Sequence, residues 1–185
     1  PASFTHISTN DYTGSGFNRG HMCPSADRNA NATDNEATFL MPNIMPQSPV
    51  LNQQTWADLE SYCRTLVNDG DELYIISGGY GSGGAGSNGG VTTTIGGGKV
   101  NVPSHYWKVV VVLPVGTNDI SRVAASSRVI AVDMPNIQTV NAQTWGYYRT
   151  SVDAIEAITG YDFLSNVSSS VQSSVEAVVD SGPTQ

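Results

Sequence analysis

The apolar positions of this chain change their spacing at a few sharp boundaries, and those boundaries lay out its elements. The first fifty residues show no sustained period. "YTGSG", "CPSAD" and "MPNIMPQSP" punctuate them, and Pro42, Pro46 and Pro49 exclude a regular helix there. From Asn52 the spacing becomes helical: in "NQQTWADLESYCRTLVNDG", Trp56, Leu59, Cys63, Leu66 and Val67 recur at amphipathic intervals, with Gly70 as the stop. "ELYIISGG" predicts a buried strand, "VTTTIGGGKVNVP" a hairpin around a glycine turn, "HYWKVVVVLP" a strong strand and "RVIAVDMPN" a further one. Two short helices follow in "SVDAIEAITG" and "VQSSVEAVV", the first closed by Gly160. Strands with interspersed helices and no regular βαβ alternation predict an α+β fold. A length of 185 residues fits one domain over 1–185.

The glycine-rich stretch "GGYGSGGAGSNGGV" reads as a mobile loop. Gly79, Gly81 and Gly84 match G-x-G-x-x-G, but that fingerprint needs a helix opening directly after it to receive a pyrophosphate. More glycine and a threonine-rich strand follow instead, which argues against a dinucleotide cofactor. Charged residues make up only 13% of the chain, a profile that suits a secreted or periplasmic protein. No run of about 18 apolar residues occurs, so no membrane span is expected. The stretch "PASFTHISTN" lacks the basic start and apolar core of a signal peptide. The net charge of −8 opposes tight, non-specific nucleic-acid binding by counterion release. It leaves room for an enzyme that touches few phosphates. Cys23 and Cys63 allow one disulfide or two buried thiols.

Candidate chemistry gathers in "GFNRGHMCPSADR", Gly16–Arg28. Arg19 and His21 are two apart, so an extended segment points them to one side. Histidine can act as a base near neutral pH, and arginine offers a forked donor to phosphate. The pair suits phosphodiester attack, although an R-x-H is more often structural. On the following helix, with Trp56 set at zero, the apolar stripe falls between roughly 280° and 20°, and Asn52 near 320°. Asn52 is therefore either an N-cap or a ligand through its carbonyl oxygen. Glu60 and Arg64, near 40° and 80°, are either an ordinary i,i+4 ion pair or the outer part of a site. A zinc site from His21, Cys23, Cys63 and His105 lacks the paired cysteine spacing that would support it. His105 and His6 read as structural.

With these residues in view, "GFNRGHMCPSADR", "TFLMPNIMPQSPVLNQQTWADLE", "VPSHYWKVVVV" and "SVDAIEAITGYDF" together resemble the DNA/RNA non-specific endonucleases, the ββα-metal (His-metal finger) group. The resemblance implies a metal-dependent nuclease with little sequence preference that leaves 5′-phosphate and 3′-hydroxyl ends. It implies that His21 is the general base, that Arg19 lies near the phosphate, and that Asn52 is the direct protein ligand of Mg²⁺, for which Mn²⁺ or another divalent ion can substitute. It gives Glu60 a contact to the ion through water and Arg64 the phosphate in the transition state. Asn43 and Arg28 are its further substrate-side candidates. DNA and RNA are the implied substrates, and a proteinaceous inhibitor is a candidate partner. The alternative is a catalytically silent relative that binds nucleic acid or protein. This chain departs from the family pattern at Asn18, where the motif usually has Asp. It also begins without the N-terminal strands usual before "FTHISTNDY".

Overall fold

The computed structural model describes residues 5–185; residues 1–4, part of the N-terminal stretch considered for a signal, lie outside it. The elements are β1 (Asn18–His21), α1 (Ala32–Ala37), β2 (Ile44–Gln47), α2 (Trp56–Asn68), β3 (Asp71–Tyr80), β4 (Thr94–Ile95), β5 (Val100–Asn101), β6 (His105–Pro114), α3 (Asp119–Arg122), β7 (Arg128–Pro135), β8 (Arg149–Thr150), α4 (Val152–Thr159) and α5 (Ser169–Glu176). β1 pairs with β2, β4 with β5, and a four-stranded sheet has the order β3-β6-β7-β8. The three pairings whose register is defined, β1–β2, β4–β5 and β7–β8, are antiparallel. The fold is α+β. Among the described residues, no helix is long and apolar enough to cross a membrane.

The chain divides into two compact units, the first within Pro1–Ala57, Gly79–Tyr106 and Pro135–Ala142, the second within Asp58–Gly78, Trp107–Met134 and Gln143–Gln185. In the first unit Tyr12, Phe17, Ile44, Ile95 and Val102 form a buried cluster, with Ile7, Met41 and Val100 packed against it. Its glycine-rich loop is tied down at several points: Gly84 bridges to Thr92, Ala85 N–H donates to Asn136 O at 2.8 Å, and Ser87 N–H donates to Gly16 O at 2.9 Å. The stretch expected to be a mobile loop is thus anchored by backbone hydrogen bonds at these points. Backbone hydrogen bonds need no side chains, and glycine can supply them where bulk would block the approach. The predicted β4–β5 hairpin is present, its turn made by Gly96, Gly97 and Gly98 at positive φ.

The second unit buries Leu59, Tyr62 and Cys63 of α2, Val109, Val110, Val111 and Leu113 of β6, and Ile130 and Val132 of β7. Gly160 closes α4 in the left-handed conformation, as its spacing suggested. β3 differs from expectation: Tyr74, Ile75 and Ile76 are exposed rather than buried. β3 is an edge strand with one neighbour, β6, so its run of apolar residues is not enclosed on both sides. Val67 is likewise 50% exposed because it lies in the last turn of α2. α1 was not anticipated either. It is capped by Asn31, whose Oδ1 accepts from Asp34 N–H.

Candidate active site

β1 and β2 pair in the register Asn18↔Gln47, Arg19↔Pro46, Gly20↔Met45 and His21↔Ile44. Opposite Arg19, proline costs the ladder no more than its missing N–H, which a two-stranded ribbon can spare at an edge. Gly20 is buried, and a Cβ there would sit 2.6 Å from Gln47 Cγ. The absence of a side chain at position 20 therefore lets Gln47, itself fully buried, lie across the strand between Arg19 and His21. Gly20→Ala is expected to destabilise the fold by about 1–3 kcal/mol through overpacking, read as a lowered urea midpoint. An unchanged midpoint would show that Gln47 moves aside at no cost.

After β1 the chain is stapled by Asn43. Its Oδ1 accepts from Cys23 N–H at 2.9 Å, and its Nδ2 donates to Cys23 O and Thr38 O, both at 2.8 Å. The backbone adds Met22 N–H to Asn43 O at 3.0 Å. The amide of Asn43 is thus committed to holding the segment after His21. Phe39 lies edge-on to the His21 ring, with centroids 4.9 Å apart, and is itself 54% exposed.

His21 is half-buried, and its Nε2 is buried without a hydrogen-bond partner. Burial, and then the positive charge of Arg19, hold its pKa below the usual imidazole value. The ring is therefore neutral near pH 7 and can accept a proton. Arg19 is exposed and, among the described residues, makes no ion pair. A cation left open beside a neutral imidazole suits an incoming anion. Arg28 is also exposed, with its Nη1 donating to Asp27 O at 2.8 Å.

The helix that carries Asn52 starts earlier than its sequence pattern indicates. Pro49 and Val50 are already helical, and Leu51–Thr55 forms a π-helical segment before α2. Pro49 corrects the expectation that the prolines exclude helix here, because a first-turn proline forfeits only an N–H that has no helical partner. Ser48 provides the cap, its Oγ accepting from Leu51 N–H at 3.3 Å. Ser48 is fixed in turn by Asn136, whose Oδ1 accepts from Ser48 N–H at 2.7 Å and whose Nδ2 donates to Pro46 O and Pro103 O. Tyr106 Oη also donates to Pro46 O, at 2.8 Å.

Asn52 is therefore one turn inside the helical run, and the N-cap alternative for it is excluded. Its Nδ2 donates to Asn18 Oδ1 at 3.2 Å, and Gln53 Nε2 donates to the same oxygen at 2.8 Å. These bonds tie the helix to the residue before Arg19. With the amide nitrogen so engaged, Asn52 Oδ1 has no hydrogen-bond donor among the described residues. The arrangement fits a hard divalent cation, which needs few protein ligands and favours neutral or anionic oxygen. A π-helical turn of this kind is frequent at functional sites.

In the second unit, Glu60 Oε1 lies 3.7 Å from Lys108 Nζ, whose side chain is 1% exposed. Arg64 Nη2 donates to Ser61 Oγ at 3.1 Å. The structure carries Cys23, half-buried, and Cys63, buried, as thiols. His21, Cys23, Cys63 and His105 form no ligand group among the described residues. His105 stacks on Tyr80 at 5.0 Å. Sequence reasoning missed Lys108, Asn136, Gln47 and Phe39. The signal for Lys108 was present, a lone cation inside the apolar run "YWKVVVVL".

A family model described as DNA/RNA non-specific endonuclease matches residues 1–170, and the chain belongs to that family. It is 48% identical over 180 residues to a protein called Nuclease from Nostoc sp. (strain PCC 7120), covering 97% of this chain and 62% of that one. It is 30% identical over 166 residues to human mitochondrial endonuclease G, covering 88% of this chain and 53% of the relative. The chain thus spans less than two thirds of the length of these relatives. A solved structure, the crystal structure of the EndoG/EndoGI complex, aligns with a TM-score of 0.70 over 87% of this chain and 64% of that one, at 23% identity. The fold is the ββα-metal type.

Proposed function

We propose that the chain hydrolyses phosphodiester bonds in DNA and RNA with little regard to sequence, using a divalent cation. The observation that carries this reading is the β1 surface. It sets an exposed arginine beside a neutral histidine, and its Asn18 holds the amide nitrogen of the helix-borne Asn52. In this reading Arg19 binds a phosphate oxygen and orients the phosphodiester, while His21 accepts the proton of the attacking water. Asn52 holds the cation through Oδ1, with Asn18 keeping the amide turned. A cation bound there supplies positive charge to the phosphate and to the leaving oxygen. Glu60, through water, and Arg64, at the phosphate, take their roles from the resemblance. Asn43 is better placed to support the His21 segment than to touch substrate.

Lack of sequence preference follows from contacts that go to phosphate and metal, which carry no base information. The acidic chain favours brief binding over tight retention. EndoG has been solved in a complex that describes its inhibition, with EndoGI, and an inhibitor protein is the corresponding partner proposed here.

The test is digestion of supercoiled plasmid and of RNA with Mg²⁺, then with chelator. Cleavage of both that stops on chelation is expected. Asn52→Ala should raise the Mg²⁺ concentration needed for half-maximal cleavage by about tenfold or more. Metal-independent cleavage would sink the mechanism. No cleavage by pure, folded protein would favour the silent binding relative.

A further inference from the structure

Away from β1, the second unit gathers three carboxylates that the nuclease reading does not use. Asp153 and Glu156 stand three apart on α4, hence on one face, and Glu176 is the last residue of α5. One carboxylate oxygen from each lies within 4.8 Å of the others. Acidic groups often cluster at surfaces without consequence, but Glu176 is only 5% exposed, and its Oε1 is buried with no hydrogen-bond partner. Among the described residues, no lysine or arginine forms an ion pair with any of the three. A buried carboxylate oxygen with no donor, facing two more carboxylates, is costly unless positive charge joins it.

The positions are held from outside the cluster. Glu156 Oε1 accepts from Phe163 N–H at 2.6 Å, and Gln172 of α5 donates to Phe163 O and Asp162 Oδ1, both at 3.0 Å. The segment joining α4 to α5 is thereby bound to both helices.

We propose that Asp153, Glu156 and Glu176 bind a Ca²⁺ ion that clamps α4 to α5, separate from the Asn52 site. Three carboxylates this close favour calcium, which takes several carboxylate oxygens in a flexible geometry, whereas Mg²⁺ keeps most of its waters and takes one or two carboxylates. Two negative charges balance the ion, and the third offsets dehydration.

The experiment is calorimetric titration of the whole chain with CaCl₂, alongside thermal unfolding with and without Ca²⁺. Wild type and Asn52→Ala should both bind one Ca²⁺ at this site and unfold a few degrees higher in its presence. Asp153→Asn and Glu176→Gln should weaken that binding by about tenfold or more and lose the thermal gain. Asp153 is exposed, so its variant decides the matter should Glu176→Gln fold poorly. An unchanged calcium response in Asp153→Asn, or one abolished by Asn52→Ala alone, overturns the proposal. Because the readouts are binding and stability, failure here leaves the nuclease reading untouched, and failure of plasmid cleavage leaves this site untouched.

Discussion

His21→Ala is expected to lower kcat on plasmid DNA by about 10²–10⁴-fold, the range for loss of a general base, with little change in thermal midpoint or in Mg²⁺ binding. The small stability cost follows from the surroundings. The ring is only half-buried, and its aromatic neighbour, Phe39, is itself exposed, so truncation leaves no enclosed cavity. The strand register rests on backbone bonds that alanine keeps. The pH profile gives a second, independent reading. Burial and Arg19 both lower the pKa of His21, so the active neutral form prevails from below the ordinary imidazole range upward. The acid limb of kcat/KM should therefore lie below about pH 6.5, with a plateau at neutral pH. Arg19→Gln removes one of the two causes. It should move the limb to higher pH, incompletely because burial remains the larger cause, while also weakening substrate binding. Wild-type turnover in His21→Ala would remove the base assignment. An acid limb unmoved in Arg19→Gln would separate the two side chains electrostatically.

What could be read in advance divides along physical lines. The buried side of α2 was legible because Trp56, Leu59 and Cys63 obey a local period, and local periods survive any tertiary context. The burial of the strands was less so. Leu73–Ile76 has the composition of an enclosed strand, yet enclosure depends on which neighbours flank it, and β3 has one. The candidate site shows the same limit. Arg19 and His21 share a side of an extended segment by simple alternation, so their pairing was visible. The environment of Asn52 was not, because it depends on contacts distant in sequence. Asn18 reaches it across 34 positions and Asn136 sets Ser48 across 88. A helical wheel begun at Trp56 also presumes a uniform 100° per residue, which the π-helical segment Leu51–Thr55 breaks. The family resemblance supplied roles where periodicity left alternatives. The geometry then removed one of them, the N-cap at Asn52.

Lys108→Met should destabilise the protein by about 2–4 kcal/mol, toward the low end of the cost of breaking a buried pair because Glu60 keeps some contact with solvent. Lys108 lies in β6 among Tyr106, Trp107, Val109 and Val110, all buried, and its own side chain is 1% exposed. Desolvating an ammonium there is tolerable only with a counter-charge at hand, and Glu60 Oε1 is 3.7 Å away. Methionine has nearly the volume of the lysine stem, so the change removes charge and leaves little void. What remains is a carboxylate deprived of its buried counter-ion. The double variant Lys108→Met/Glu60→Gln should recover a substantial part of the lost stability, since a neutral pair avoids both desolvation costs. The measurement is a double-mutant cycle on urea unfolding at one temperature. Additive losses would show that the two side chains do not stabilise one another. A coupled cycle would define a second role for Lys108. It fixes the carboxylate on α2 to which the proposed mechanism assigns a contact with the cation through water. In that case Lys108→Met should also lower cleavage by folded protein, assayed well below its unfolding temperature.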